Sequence, residues 1–133
     1  MIQELDDRSM TRMRGVHPDL IRVVLKANDV FQTQHPGLSF FVTEGLRSLD
    51  RQRELLAKGA SKTLNSRHLT GHAVDLAVRL DGELRWDWPL YGKLGVSVKG
   101  VAVGLGVSVV WGGDWRNFRD GPHFELDRRA YPA

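Results

Sequence analysis

Leu20, Val23, Val24, Ala27, Val30 and Phe31 recur at three- and four-residue steps, which predicts an amphipathic helix from Pro18 to about Gln34, with the proline in its first turn. Pro36 and Gly37 break that rhythm, and Leu38 to Thr43 reads as a strand of β-favouring residues. A second helix is expected from Ser48 to Lys58, with Ser48 as N-cap and Gly59 as stop. The polar, turn-rich stretch from Ala60 to Thr70 reads as a loop. Ala73 to Val78 and Leu84 to Trp86 flank Asp81-Gly82, a two-residue hairpin signal, so two antiparallel strands are expected. After Pro89, residues Leu90, Leu94, Val98, Val101, Ala102 and Leu105 keep helical spacing. The glycines between Gly92 and Gly106 weaken that helix by up to about 1 kcal/mol each relative to alanine. Val107 to Trp111 reads as a strand, Gly112-Gly113 as a turn, and His123 to Leu126 as a last short strand. With no repeat or linker, the pattern predicts one α+β domain over residues 1–133, a small antiparallel sheet flanked by helices.

Composition narrows what such a domain can do. The 133 residues suffice for one core and one active site, and 26% charged against 41% hydrophobic residues is the balance of a folding chain. The net charge of +3 favours an anionic partner, whether nucleic acid, a membrane surface or an acidic wall polymer. The densest basic stretch, Arg47 to Lys58, is interleaved with Asp50 and Glu54, and no basic-aromatic motif supports nucleic-acid binding. No stretch approaches the length of a membrane span, so membrane insertion is not expected, and a monomer is. The opening residues MIQELDDRSM lack the basic start and apolar run of a secretory signal, so a cytoplasmic chain is expected. Cysteine is absent, so disulfides are excluded, and any zinc site must be built from the five histidines and the carboxylates.

Chemistry concentrates in two stretches, Ser66-Arg67-His68-Leu69-Thr70-Gly71-His72-Ala73-Val74-Asp75 and Asp120-Gly121-Pro122-His123-Phe124-Glu125. Two histidines and a carboxylate make a catalytic zinc shell that leaves a fourth position for water. Strand alternation puts Asp75 on one face with Ala73 and Ala77, while Val74, Leu76 and Val78 face the core. His123 and Glu125 likewise share one face of the last strand. His68 and His72 are spaced as a helical pair, but the stretch lacks the glutamate of a zincin helix, so His72 is the weaker ligand candidate. His17 and His35 border prolines at helix ends and read as surface or capping residues.

The pattern S-x-H-x-x-G-x-A-x-D from Ser66 to Asp75, with D-x-x-H-x-E from Asp120 to Glu125, resembles the M15 family of zinc peptidases. Gly15 to Leu20, Thr43 to Ser48 and Trp111 to Trp115 fit its endolysin-like branch, the phage L-alanyl-D-glutamate endopeptidases. The resemblance implies a Hedgehog/D-Ala-D-Ala peptidase-like fold, with Zn2+ held by His68, Asp75 and His123. It further implies Asp120 as general base, where carboxypeptidase relatives generally carry glutamate. Arg47 matches the family arginine that holds the substrate carbonyl or the developing oxyanion. Ser66 and Trp115 are expected at the substrate, and Glu125 behind a ligand histidine. The implied activity is cleavage of peptidoglycan stem peptides at the L-Ala-D-Glu bond by a phage or prophage endolysin, held in the host cytoplasm until a separate holin opens the membrane. The alternatives are a D-Ala-D-Ala carboxypeptidase or dipeptidase, and a non-catalytic zinc-binding wall module.

Overall fold

The computed structural model describes residues 2–61, 63 and 65–132. Lys62 and Leu64, within the expected loop, lie outside the described residues, as do Met1 and Ala133. The amphipathic helix forms as its spacing predicts, at Pro18–Gln34. A short helix, α1 (Asp7–Arg12), precedes it, so the long one is α2. His17 caps α2 by accepting the Asp19 N–H at 3.0 Å. Leu20, Val23, Val24, Ala27 and Phe31 form its buried stripe.

Strands β1 (Leu38–Glu44), β2 (Ala73–Leu80), β3 (Glu83–Arg85), β4 (Val109–Trp111) and β5 (His123–Leu126) form one antiparallel sheet in the order β1-β2-β5-β4, with β3 beside β2. Helix α3 (Leu49–Ala57) follows β1, and α4 (Trp88–Leu105) links β3 to β4. Leu38, Phe40 and Val42 of β1, Val74, Leu76 and Val78 of β2, and Phe124 and Leu126 of β5 share a core with α2 and α4. The other side of β2 and β5 is left for Asp75, His123 and Glu125. No helix among the described residues is long and apolar enough to cross a membrane.

The chain departs from its sequence pattern in instructive places. Helix α1 carries too little periodic apolar character to be foreseen; Asp6 caps it, accepting the Ser9 N–H at 2.8 Å. It covers the outer edge of β1, where Ser9 Oγ accepts the Val42 N–H at 2.9 Å and Arg12 Nη1 donates to the Val42 carbonyl at 2.9 Å. Edge groups that would otherwise be open are thereby satisfied. β3 ends at Arg85 rather than Trp86, whose ring stacks on Tyr91 at 5.9 Å. β4 begins at Val109 because Val107, just past the left-handed Gly106 cap of α4, packs into the core. Part of the expected loop, Arg67–Thr70, winds into a 3-10 turn, and so does Gly112–Asp114.

Candidate metal centre

The centre is assembled by strand register and one capped turn. Asp75 and His123 are direct partners across β2 and β5, and Ala73 pairs with Glu125. On the other side of β2, Val42 pairs with Leu76 and Glu44 with Asp75, so the register slips by one residue at Thr43. Strict alternation would point Glu44 into the core with Val42; the bulge turns it to the face of Asp75 instead. The result is a row across three strands, Glu44, Asp75 and His123.

His68 comes from the 3-10 turn. Ser66 Oγ accepts the His68 N–H at 3.2 Å at the start of that turn, and Gly71 ends it at φ +75°. A Cβ at Gly71 would lie 2.2 Å from the Gly15 carbonyl oxygen, so only glycine permits this close approach. The Arg47 N–H donates to the His68 carbonyl at 2.9 Å, which ties the turn to the entry of α3.

Both imidazoles are oriented from behind. His68 Nδ1 donates to the Gly45 carbonyl at 2.8 Å, which leaves Nε2 for Asp75 Oδ1 at 3.2 Å. His123 Nε2 lies 2.9 Å from Glu125 Oε1, and its Nδ1 lies 3.2 Å from the same Asp75 oxygen. His68 Nε2, His123 Nδ1 and the Asp75 carboxylate thus converge, all three ligand atoms lying within 4.8 Å of one another. Two of those edges match the ~3.4 Å edge of a tetrahedron built on zinc–nitrogen and zinc–oxygen bonds of about 2.1 Å. Neutral imidazoles, each with its outer N–H engaged by an oxygen, are the form that metal binding requires. The donor set therefore fits a divalent cation, and with two nitrogens and one carboxylate it suits zinc.

Without a metal, charge is shared among these groups. Burial alone would lift the Asp75 pKa, but hydrogen bonds from His123 and His68 outweigh it and hold the carboxyl well below its usual range. Burial would lower His123, yet its bonds to Asp75 and Glu125 prevail and raise it to about 9. Asp120 is raised, first by burial and then by the Asp75 charge.

A cleft of about 360 Å³ opens over this centre, and its lining includes Arg47, Ser66, Trp115 and Asp120. Asp120 is set by its backbone: its N–H donates to the Gly112 carbonyl at 3.1 Å, and its carbonyl accepts the His123 N–H at 3.2 Å. Gly112 is closely packed against this loop, since a Cβ there would lie 2.4 Å from the Asp120 carbonyl oxygen. The Trp115 ring tilts over His123, with centroids 5.0 Å apart. The Arg47 side chain is only 8% exposed and is held by two partners. Its Nε and Nη2 each donate to a Glu44 oxygen at 2.7 Å, and Nη1 donates to Gln52 Oε1 at 2.6 Å. Its remaining N–H edge faces Ser66 Oγ at 3.5 Å and Asp75 Oδ2 at 3.7 Å.

The sequence-predicted site residues all meet in one place, and His72 stands apart from the ligand group, with Nδ1 on Thr70 Oγ1 at 2.7 Å. Sequence reasoning missed Glu44 and Gln52. Glu44 sits in a stretch already singled out, but its inward turn depends on a bulge that no local pattern announces. Gln52, wholly buried, donates to Ser61 Oγ and the Thr63 carbonyl, and its only signal is a polar residue on the inner face of α3.

Two histidines and a carboxylate on the polar side of an antiparallel sheet, beside a cleft that holds a further carboxylate and an arginine, define a candidate mononuclear metallohydrolase centre. The chain belongs to the phage L-alanyl-D-glutamate peptidase family, whose model matches residues 1–131. The crystal structure of Serratia marcescens L-Ala D-Glu endopeptidase ChiX is similar over 99% of this chain and 96% of that one, at 45% identity and a TM-score of 0.86. The peptidoglycan L-alanyl-D-glutamate endopeptidase CwlK of Bacillus subtilis (strain 168) is 33% identical over 128 residues, covering 84% of this chain and 75% of the relative. The L-alanyl-D-glutamate peptidase of Listeria phage A118 is 32% identical over 95 residues, or 71% of this chain; the match spans 33% of that longer protein.

Proposed function

We propose that this chain is a zinc-dependent endopeptidase that cleaves the L-Ala-D-Glu bond of peptidoglycan stem peptides, acting as a phage or prophage endolysin. The observation that carries the reading is the convergence of His68 Nε2, His123 Nδ1 and Asp75 in a cleft, with both imidazoles oriented by oxygens behind them, in a member of this peptidase family. When bound, zinc supplies Lewis acidity toward the scissile carbonyl and makes a water acidic enough to attack near neutral pH.

The chain's own groups do the rest. Asp120 takes the proton from the attacking water and passes it to the leaving amine, from a place in the cleft fixed by its backbone bonds to Gly112 and His123. Arg47 presents its remaining N–H edge to the oxygen on which negative charge develops, with Glu44 and Gln52 fixing its plane in advance. Trp115 forms a wall over His123 that shields the reacting atoms from bulk water, and Ser66 positions His68 while presenting its hydroxyl to the cleft. Glu125 holds His123 in the tautomer that frees Nδ1.

The protein works as a monomer, accumulates in the host cytoplasm and reaches the wall once a separate holin opens the membrane. The test is mass spectrometry of fragments released from purified peptidoglycan, with and without chelator. Stem peptides bearing a new N-terminal D-Glu, released only while metal is present, are expected; cleavage at a D-Ala-D-Ala bond, or none, would overturn the reading.

A further inference from the structure

The substrate in this reading brings a charge into an acidic cleft. In an L-Ala-D-Glu linkage continued through the side-chain carboxyl, the α-carboxylate of the D-Glu is free and lies a few atoms from the scissile bond. The cleft that must receive it is lined by Glu44, Asp75, Asp120 and Glu125. A bound divalent cation offsets Asp75, and Arg47 offsets Glu44 through two hydrogen bonds. An anion beside the remaining carboxylates is repelled unless a cation meets it.

Three arginines line the cleft, and they differ in what they have left to give. Arg47 is held by Glu44 and Gln52, and its one remaining N–H edge is already assigned to the oxygen on which charge develops. Arg67 is buried, and its Nη2 donates to the carbonyls of Leu126 at 3.2 Å and Tyr131 at 2.6 Å. Arg128 is the exception: its side chain is 60% exposed at the rim. It is nonetheless directed, with Nη2 donating to the Asn65 carbonyl at 3.2 Å and Nε 3.8 Å from Glu125 Oε2. Glu125 in turn contacts His123 through its other oxygen, so the guanidinium stands one carboxylate away from a residue of the metal group. A guanidinium carries five N–H donors, and the Asn65 carbonyl accepts from only one of its nitrogens.

We infer that Arg128 is a specificity-determining residue that receives the free α-carboxylate of the D-Glu residue on the leaving side of the scissile bond. The Asn65 carbonyl and Glu125 hold the guanidinium at the cleft mouth, so less side-chain freedom is lost when the carboxylate binds. Arg128 thereby separates stem peptides with a free α-carboxylate from those in which it is amidated, since the amide removes the charge and keeps the shape. The inference rests on the peptidase reading above.

The experiment compares kcat/KM for two synthetic stem peptides, one with D-Glu and one with its α-amide, across wild type, Arg128→Gln, Arg128→Glu and Arg128→Lys. Wild type is expected to prefer the acid by roughly three- to thirtyfold, the range of a partly exposed charge-assisted contact. Arg128→Gln should bring the ratio close to one, mainly through KM, and Arg128→Glu should invert it. Arg128→Lys should keep part of the preference. A ratio that stays at its wild-type value in Arg128→Gln overturns the inference while leaving the peptidase reading intact. Failure of wild type to cleave either peptide, with metal bound, overturns that reading and this inference with it.

Discussion

Asp75, His123 and Glu125 owe their positions to the pairing register of β2 and β5, whereas Arg47, Ser66 and Gln52 on the facing wall are placed by side-chain hydrogen bonds that cross loops. The first group is attached to a sheet whose reverse face is fully buried, with Val74, Leu76 and Phe124 wholly inaccessible. A one-residue slip there would exchange polar and apolar faces of a whole strand, so the ligand geometry is protected by the stability of the core. The wall has no such backing. Its polar residues hold one another, and the stretch after α3 is mostly exposed. The contrast separates two tasks: holding a metal needs distances fixed by the fold, while admitting a substrate needs a surface that can adjust.

Breaking the first region should cost most. His68→Ala or His123→Ala removes a ligand from the three-residue set, and metal analysis should find stoichiometry far below one zinc per chain, with peptide cleavage abolished. Full zinc occupancy in either variant would refute the ligand assignment. Next comes Asp120→Asn, which keeps the shape and the ligands but removes the proton acceptor. Zinc should stay bound while kcat falls by roughly 10²–10⁴-fold. Asp120→Glu should restore part of that activity, and an Asn variant at the wild-type rate would exclude Asp120 as base.

Smaller effects follow from the groups behind the ligands. Glu125→Gln weakens the acceptor for His123 Nε2 without vacating the space, and zinc affinity measured against a competing chelator should drop about 10–100-fold. The metal-free protein carries its own signature. His123 is raised from 6.5 to about 9, so its charged form contributes stability that is fully present below pH 6.5 and is lost as pH rises through about 9. The melting temperature of chelated protein should therefore fall across that interval. Excess zinc should remove the fall, because the metal takes the neutral imidazole. A flat profile in chelated protein would mean that His123 is not held in its charged form.

The same division explains what the chain revealed before folding. α2, α4 and the five strands follow from apolar spacing because each buries one face, and the candidate ligand set follows from the motif resemblance, with Asp75 and His123 on strands and His68 on a capped turn. Even the glycine-bearing α4 forms, with Tyr91, Leu94, Val98 and Val101 buried along it, so tertiary packing outweighs the propensity penalty. α1 stayed hidden because its role is to satisfy the β1 edge through Ser9 and Arg12, contacts that reach Val42 33 and 30 residues away, and it has little apolar periodicity of its own. Glu44 was missed for a different reason: period-two alternation assigns it to the core face, and only the bulge at Thr43 reverses that. Arg47 was legible through resemblance, but its engagement by Glu44 and Gln52 was not.

Gln52→Leu is the sharpest probe of the wall. The substitution nearly preserves volume inside α3 but deletes three contacts: the acceptor for Arg47 Nη1, and the donors to Ser61 Oγ and the Thr63 carbonyl. Leaving such partners unsatisfied costs about 1–3 kcal/mol, so a modest loss of thermal stability is expected. If the wall is positioned independently of the metal centre, zinc affinity should remain at the wild-type value, because no bond to His68, Asp75 or His123 involves Gln52. kcat should fall, by roughly three- to tenfold for a loosened Arg47, while the acid limb of the pH profile keeps its position because Asp120 is undisturbed. Asn at the same position restores an amide one methylene short and should recover little, whereas Glu keeps the acceptor for Arg47 and loses the donors to the loop. Comparing Leu with Glu thus divides the effect between the arginine and the loop. A parallel fall in zinc affinity in Gln52→Leu would show that the two regions are one cooperative unit, and would remove the distinction between them.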